Sequence, residues 1–379
     1  MSATVEITDS ETAARVLVIG RSPLVLETVM EELGALGMTV TGTTEPDKAA
    51  TAFDATGFDL IALGGGIPNA LRSTLKRSFA AQNPAVRLLD TYAPVAAAQI
   101  ADALRAPGAR LVDLDAYSAR IGYLGPRAPT LETLQALHEC HPDAIVFEAL
   151  DVLLDRGVDL SPEAIDAKLI DGGRGGYCFE QNDLFKRVLE TLGFQVEGLS
   201  ARVRWNAPAG APIPPRTHMA LKVTVDGTPW LADVGFGGCV LTTPLRMDTT
   251  EPQATQHERF RIFPYGPSLL LQIERDGRWL PVYELSGEPH YRSDYELANW
   301  FTATHPDSPF RRSLVTARTT PEARYGLANN RLTIRRPGHE PDVQMLNASG
   351  IARVLQEIYG LPVSDDWHPV IERAALAES

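Results

Sequence analysis

Over the first hundred positions, apolar residues gather in short runs that close on glycine. These runs alternate with segments of helical spacing. Arg15-Val16-Leu17-Val18-Ile19-Gly20 has the form of a buried strand. Residues 24–36 follow with apolar positions Val25, Val29, Leu33 and Leu36 on one helical face, stopped by Gly37. Further strands are predicted at 39–42, 58–64 and 86–89, and further helices at 47–53, 70–81 and 95–104. Strands that alternate with helices predict an open parallel sheet with helices on both faces. The reading gives a tail at 1–13, an α/β unit at 14–105, and a linker at 106–110 where Pro107 and Gly108 interrupt the pattern.

Beyond the linker the period changes twice. Helices are predicted at 113–121, 130–141 and 144–154, and Ser161-Pro162 starts another toward Leu169, serine at the N-cap and proline at N1. After Gly193 the pattern turns to period two, with Leu199, Ala201, Val203 and Trp205 alternating with Ser200, Arg202 and Arg204. A proline-rich loop at 206–215 leads to strands at 219–225 and 230–234, joined at Asp226-Gly227, a strong hairpin signal. More strands are predicted at 259–263, 269–274 and 279–284. The end is mixed, with strands at 313–317 and 331–335 and a helix at 348–359. The expected organisation of 111–379 is helical to 195, β-rich from 196 to 290, and α/β from 291.

Composition narrows the function classes. The formal net charge of −13 disfavours a large phosphate-binding surface, and basic clusters such as Arg311-Arg312 are short enough to be solvated faces. The three cysteines, Cys140, Cys178 and Cys239, share no C-x-x-C spacing and suggest neither a disulfide framework nor a thiolate metal site. The acidic N-terminus lacks the form of a signal peptide, and no apolar run approaches about 18 residues, so a cytoplasmic location is expected, with no membrane or nucleic-acid partner.

The chemistry concentrates at Gly172-Gly173-Arg174-Gly175-Gly176-Tyr177-Cys178. Phe185, Val188, Leu189 and Leu192 recur at helical spacing just after it, which puts Cys178 at or near a helix N-terminus. There the dipole and free N–H groups favour a thiolate. Free cysteine is commonly an inert buried hydrophobe, but the glycine-rich entry leaves room above this sulfur. A thiolate needs a base, and the base an orienting group. If Asp226-Gly227 is a two-residue turn, Asp233 faces Ala220 and lies diagonally from His218 on one face of the hairpin. Alone, His218 is an ordinary surface or core histidine; with Cys178 and Asp233 it completes a nucleophile, base and orienter.

These residues resemble the arylamine N-acetyltransferases over roughly 111–365. Arg174-Gly175-Gly176-Tyr177-Cys178-Phe179-Glu180-Gln181-Asn182 is similar to that family's nucleophile motif, Thr217-His218-Met219 to its histidine segment, and Asp233-Val234-Gly235-Phe236-Gly237-Gly238 to its aspartate segment. Asn299 to Pro306 resembles a further stretch. The resemblance implies a helical bundle, a β-barrel and an α/β lid, with a transglutaminase-like cysteine site and acetyl-CoA as co-substrate, without a metal. It implies that Cys178 carries the acyl group, His218 handles protons and Asp233 orients the histidine. Phe147, Phe236, Thr217 and Gly235 would meet the acceptor; Thr304, His305 and Phe310 would meet coenzyme A; Arg174 and Glu148 would brace the nucleophile loop. Where the family has Phe-Glu-Asn-Leu after a proline, this chain has Val146-Phe147-Glu148-Ala149-Leu150, which leaves acceptor identity open.

Three alternatives share or bypass this triad: amide synthesis that joins a longer acyl chain to an aryl amine, thiol hydrolysis or transglutamination, and a sensing protein built on the N-terminal unit. That unit resembles a receiver or other flavodoxin-like domain, but Ile19-Gly20-Arg21-Ser22 replaces the receiver's acidic pair and Leu63-Gly64-Gly65-Gly66 its phosphoacceptor. The glycine run matches neither G-x-G-x-x-G nor a Walker A loop and reads as a tight turn. A docking or self-association role is expected for 14–105.

Overall fold

The computed structural model describes residues 13–83, 86–105, 112–208, 210–288 and 290–377. Most of the expected tail and all of the expected linker lie outside them. The chain divides into two compact units, Met1–Arg110 and Leu111–Ser379.

In the first unit, β1 (Arg15–Ile19), β2 (Thr39–Thr43), β3 (Leu60–Gly64) and β4 (Arg87–Thr91) form a sheet in the order β2-β1-β3-β4. Every pairing is parallel. The intervening helices are α1 (Pro23–Ala35), α2 (Pro46–Ala52) and α3 (Asn69–Gln82), with α4 (Ala96–Arg105) after β4. Successive strand side chains point to opposite faces, and the core divides accordingly. Val16, Val18, Leu60 and Ala62 pack with Leu26, Val29 and Leu33 of α1 and Ile100 of α4. Leu17, Ile19, Ile61 and Leu63 pack on the other side with Ala49, Leu75 and Phe79 from α2 and α3.

The second unit opens with α5 (Leu114–Ile121) and α6 (Leu131–Ala144). Asp113 caps α5 by accepting from the N–H groups of Asp115 and Ala116, and Thr130 caps α6. The helix expected at 144–154 is instead β5 (Phe147–Glu148) followed by one turn, α7 (Leu150–Leu153). Long-range pairing overrides local propensity here. Phe147 pairs with Ala317, Glu148 with Thr316, and Phe147 also bridges to Gly176. Next come α8 (Pro162–Asp166), a π-turn at Ala167–Asp171, and α9 (Cys178–Thr191).

An eight-stranded sheet follows: β6 (Gln195–Val203), β7 (Arg216–Val225), β8 (Thr228–Ala232), β9 (Leu245–Arg246), β10 (Gln253–Ala254), β11 (Arg259–Tyr265), β12 (Ser268–Arg275) and β13 (Arg278–Leu285). Its order is β10-β11-β12-β13-β6-β7-β8-β9. The turn between β7 and β8 has the expected length, since Val225 pairs with Thr228 and Leu221 with Ala232. Asp226 and Gly227 both have positive φ, 49° and 78°, as a type I′ hairpin turn requires. Finally α10 (Arg292–Thr304) leads to β14 (Val315–Thr319), β15 (Arg324–Ala328), β16 (Arg331–Arg335) and β17 (Asp342–Met345), closed by α11 (Ala348–Glu357) and α12 (His368–Ala375). These strands and β5 form an antiparallel sheet in the order β17-β16-β15-β14-β5.

Three layers therefore converge on the start of α9. Phe185, Val188 and Leu189 bury its apolar face against Met219, Leu221 and Val223 of β7 and Leu134 and Leu137 of α6.

Candidate active site

Cys178 is the first residue of α9 and is buried, 6% exposed. Its Sγ lies 3.7 Å from the Thr217 carbonyl, and Cys178 stands near enough to the His218 ring to help raise its pKa. His218 Nε2 in turn meets Asp233 Oδ2 at 2.7 Å, with both side chains buried. The ionised carboxylate accepts from Nε2–H, which leaves Nδ1 as the ring nitrogen that Asp233 does not engage. Burial is the largest influence on His218 and would lower its pKa. The charge and hydrogen bond of Asp233, with the hydrogen bond to Cys178, outweigh it and lift the value to about 10. For Asp233, burial again is the largest influence and would raise the pKa. His218, Asn182 and the Gly235 N–H reverse it and hold the carboxyl below its usual range. The imidazole is thus cationic and the carboxylate anionic at neutral pH.

The carboxylate is fixed by three partners, His218, Asn182 and the Gly235 N–H. Asp233 Oδ1 accepts from Asn182 Nδ2 at 2.9 Å and from the Gly235 N–H at 3.0 Å. Asn182 lies one turn along α9 from Cys178, and its amide also donates to the Met219 carbonyl at 2.7 Å and accepts from the Val234 N–H at 3.1 Å. One side chain therefore ties the nucleophile's helix to both strands of the hairpin. The Asp233 N–H donates to His138 Nε2 at 3.0 Å. Burial keeps His138 neutral by pushing its pKa down to about 4, so its proton sits on Nδ1. Three residues on, burial and then His138 and Arg120 push His141 down to about 3. Rings enclose the base, with Phe236 edge-on to His218 at 5.0 Å and Tyr283 at 4.9 Å. Gly235 admits no side chain, since a Cβ there would stand 2.8 Å from the Cys178 Cα.

The loop before Cys178 is held by charge. Arg174 donates from Nε and Nη2 to Glu148 Oε1 at 2.9 and 2.6 Å, and from Nη1 to Asp151 at 3.0 Å. Lys168 bridges Asp151 and Glu180, each at 2.7 Å. Glu180 Oε2 accepts the Tyr177 N–H at 3.0 Å and so caps α9. Glu148 and Glu180 are 0% and 2% exposed, so removal of a partner leaves a buried uncompensated charge. The Tyr177 hydroxyl donates to Asn299 Oδ1, and Asn299 Nδ2 donates to the Val158 carbonyl, which anchors α10 to this loop.

The other expected residues divide into two groups. Phe147 packs against Phe310, centroids 5.9 Å apart, and Phe310 against Tyr177 at 6.0 Å, so both border the nucleophile loop. Beside Phe147 and Val234 is a cavity of about 10 Å³, lined also by Gly237 and Ala317. Thr304 and His305 are engaged locally: Thr304 Oγ1 donates to the Trp300 carbonyl at 2.6 Å, and the His305 ring stacks on Phe301 at 4.4 Å. Asn182, Lys168, Asp151, Tyr283 and His138 were not singled out by the sequence. Only Asn182 carried a signal, four residues after Cys178 on the same face of α9. Among the described residues no group of three His, Cys, Asp or Glu side chains could hold a metal ion, and no helix is long and apolar enough to cross a membrane.

The family model for N-acetyltransferases matches residues 130–368, which include every one of these contacts around Cys178. The chain belongs to the arylamine N-acetyltransferase family. It is 41% identical to the arylamine N-acetyltransferase of Mycolicibacterium smegmatis over 257 residues, 67% of this chain and 94% of that protein. Among solved structures it is similar to the arylamine N-acetyltransferase of Mycobacterium marinum, with 40% identity and a TM-score of 0.67 over 69% of this chain and 98% of that one. The same enzyme solved in complex with CoA gives 39% identity and a TM-score of 0.66, again over 69% and 98%. The likeness of the arylamine N-acetyltransferases is to the fold of the second unit.

Proposed function

We propose that this enzyme transfers an acetyl group from acetyl-CoA to the nitrogen of an arylamine or hydrazine, through an acetyl thioester on Cys178. The observation that carries the reading is the buried grouping of Cys178, His218 and Asp233, in which His218 Nε2 meets Asp233 Oδ2 at 2.7 Å and Cys178 helps to raise the imidazole's pKa. With its proton held on His218 as the imidazolium, the Cys178 thiolate attacks the thioester carbonyl carbon. The carbon–sulfur bond to coenzyme A breaks, and the departing thiolate takes the proton from His218. In the second half the amine attacks the acetyl-enzyme, the bond to Cys178 Sγ breaks, and His218 takes the amine's proton. Asp233 stays ionised throughout and stabilises the imidazolium. The first N–H groups of α9 have no intrahelical partner, which suits them to the carbonyl oxygen as it gains charge.

Acetyl is favoured over a longer acyl chain by the relatives, which are named arylamine N-acetyltransferases. Phe147, Phe236, Thr217 and Gly235 would contact the acceptor, and Thr304, His305 and Phe310 the coenzyme. The N-terminal unit, read as flavodoxin-like, stands outside this chemistry. Initial velocities with acetyl-CoA and an aniline varied together test the scheme. Parallel double-reciprocal lines fit a covalent acetyl-enzyme; intersecting lines would require both substrates to bind before any bond breaks.

A further inference from the structure

A larger cleft, about 500 Å³, opens in the first unit at the carboxyl ends of β1, β3 and β4. The chain leaves β1 for β2 on one side, while β3 lies on the other. In open parallel sheets this switch point is where adjoining connections diverge and ligands settle. The volume lies within the range of small-molecule sites.

Two glycines in its lining, Gly20 and Gly66, have no need to be glycine in the empty cleft. Neither has positive φ. A Cβ on Gly20 would meet nothing within 4 Å, and one on Gly66 would only touch Arg21 Cβ at 4.0 Å. Glycine without such a need is destabilising by about 0.5–1 kcal/mol relative to alanine in regular structure, and its other use is to let a ligand approach the main chain closely. The adjoining turn is also held in a set orientation. Buried Arg72 donates from Nη2 to the carbonyls of Gly64, Gly65 and Ile67 at 3.1, 3.2 and 3.1 Å. A trans peptide points its N–H away from its C=O, so the N–H groups of Gly65 and Gly66 face away from Arg72. The Gly66 N–H has no hydrogen-bond acceptor among the described residues, whereas the register that pairs Gly64 with Thr91 turns the Gly65 N–H toward the Thr91 carbonyl. The first turns of α1 and α3 carry no acidic side chain, and Arg21 stands at the rim, where it also pairs with Asp47 of α2 at 3.7 Å. The remaining wall is mostly apolar apart from Ser22 and Thr91, with Val25 and Tyr92 40% and 45% exposed.

We propose that this cleft binds a small molecule in which a phosphate is joined to a planar ring, a nucleoside or flavin monophosphate. The phosphate accepts from the Gly66 N–H and meets Arg21, and the ring lies along Val25, Val29 and Tyr92. The glycine run is then a cradle for an anion as well as a tight turn.

Calorimetric titration of the full chain with AMP, with flavin mononucleotide and with inorganic phosphate tests the assignment. We expect one of the two ring phosphates to bind with Kd at or below about 100 µM, and inorganic phosphate at least about tenfold more weakly. Which of the two binds identifies the ring. Gly66→Val adds a side chain at the cleft whose Cβ would only touch Arg21 Cβ, at 4.0 Å, and is expected to weaken binding at least about tenfold, with acetyl transfer unchanged. Arg21→Glu, at an exposed position, should weaken it similarly and guards against a folding defect in the first variant. The proposal is overturned if neither compound saturates the protein at about 1 mM, or if both variants, shown by circular dichroism to be folded, bind like the parent.

Discussion

The two clefts of this chain are built on opposite plans. Around Cys178 the key polar groups are tied to one another: Asp233 alone makes four hydrogen bonds, and the cavity beside Phe147 is about 10 Å³. At the ends of β1, β3 and β4 the walls are main chain and apolar side chain, with about 500 Å³ between them. Proton transfer and nucleophilic attack need side chains fixed to fractions of an ångström, so packing is spent on orientation. Reversible binding needs a shaped vacancy and a few free donors. Substitutions should therefore act steeply at the first cleft and mildly at the second.

The steepest test is Cys178→Ala, which removes the atom that accepts the acyl group and should reduce turnover to background, measured as acetylated amine by chromatography. Asp233→Asn keeps the shape but presents the wrong donor to His218, and kcat/KM should fall by about 10³–10⁴-fold. Glu148→Gln leaves Arg174 with Asp151 alone in a buried setting, and urea unfolding should show a loss of about 3 kcal/mol. An unchanged midpoint would mean that the charge network merely decorates the loop.

Titration sharpens the contrast further. His218 is cationic in the folded state up to about pH 10, so kcat/KM should hold through neutrality and decline as pH rises through that value. Its contribution to stability is full below the ordinary histidine value of about 6.5 and is lost over the same alkaline range. His138 and His141 have the opposite sign. Their folded values, about 4 and about 3, lie below the unfolded one, so their contribution is present above about pH 6.5 and is lost as pH falls through those values. Thermal melts across pH should show acid destabilisation beginning near pH 6, reduced in His138→Leu. The smallest effect is expected at the second cleft, where Gly66→Val should alter acetyl transfer by less than about twofold, since a surface change away from packed atoms is worth at most about 0.5 kcal/mol.

The site was legible where local rules fix it. The two-residue turn at Asp226-Gly227 determines which residues of β7 and β8 face each other, and so places His218 beside Asp233. The apolar spacing of Phe185, Val188 and Leu189 orients α9 and puts Cys178 at its first turn. What the sequence hid depends on distant partners. Phe147 and Glu148 form a strand only because β14 lies beside them, and a two-residue strand has no period of its own. His138 reaches the Asp233 backbone because α6 packs across the hairpin, and no motif announces that contact. The outer strands β15 and β17 were likewise missed; β17 is exposed along its length and has no alternation to read. The cleft in the first unit was invisible because a vacancy leaves no residue pattern beyond its glycines.

The most direct measurement is the intact mass of the protein after incubation with acetyl-CoA and no amine. The account predicts one acetyl adduct, absent from Cys178→Ala and discharged when an arylamine is added. A folded protein that gains no adduct, or one that gains it equally without Cys178, would contradict transfer through this cysteine.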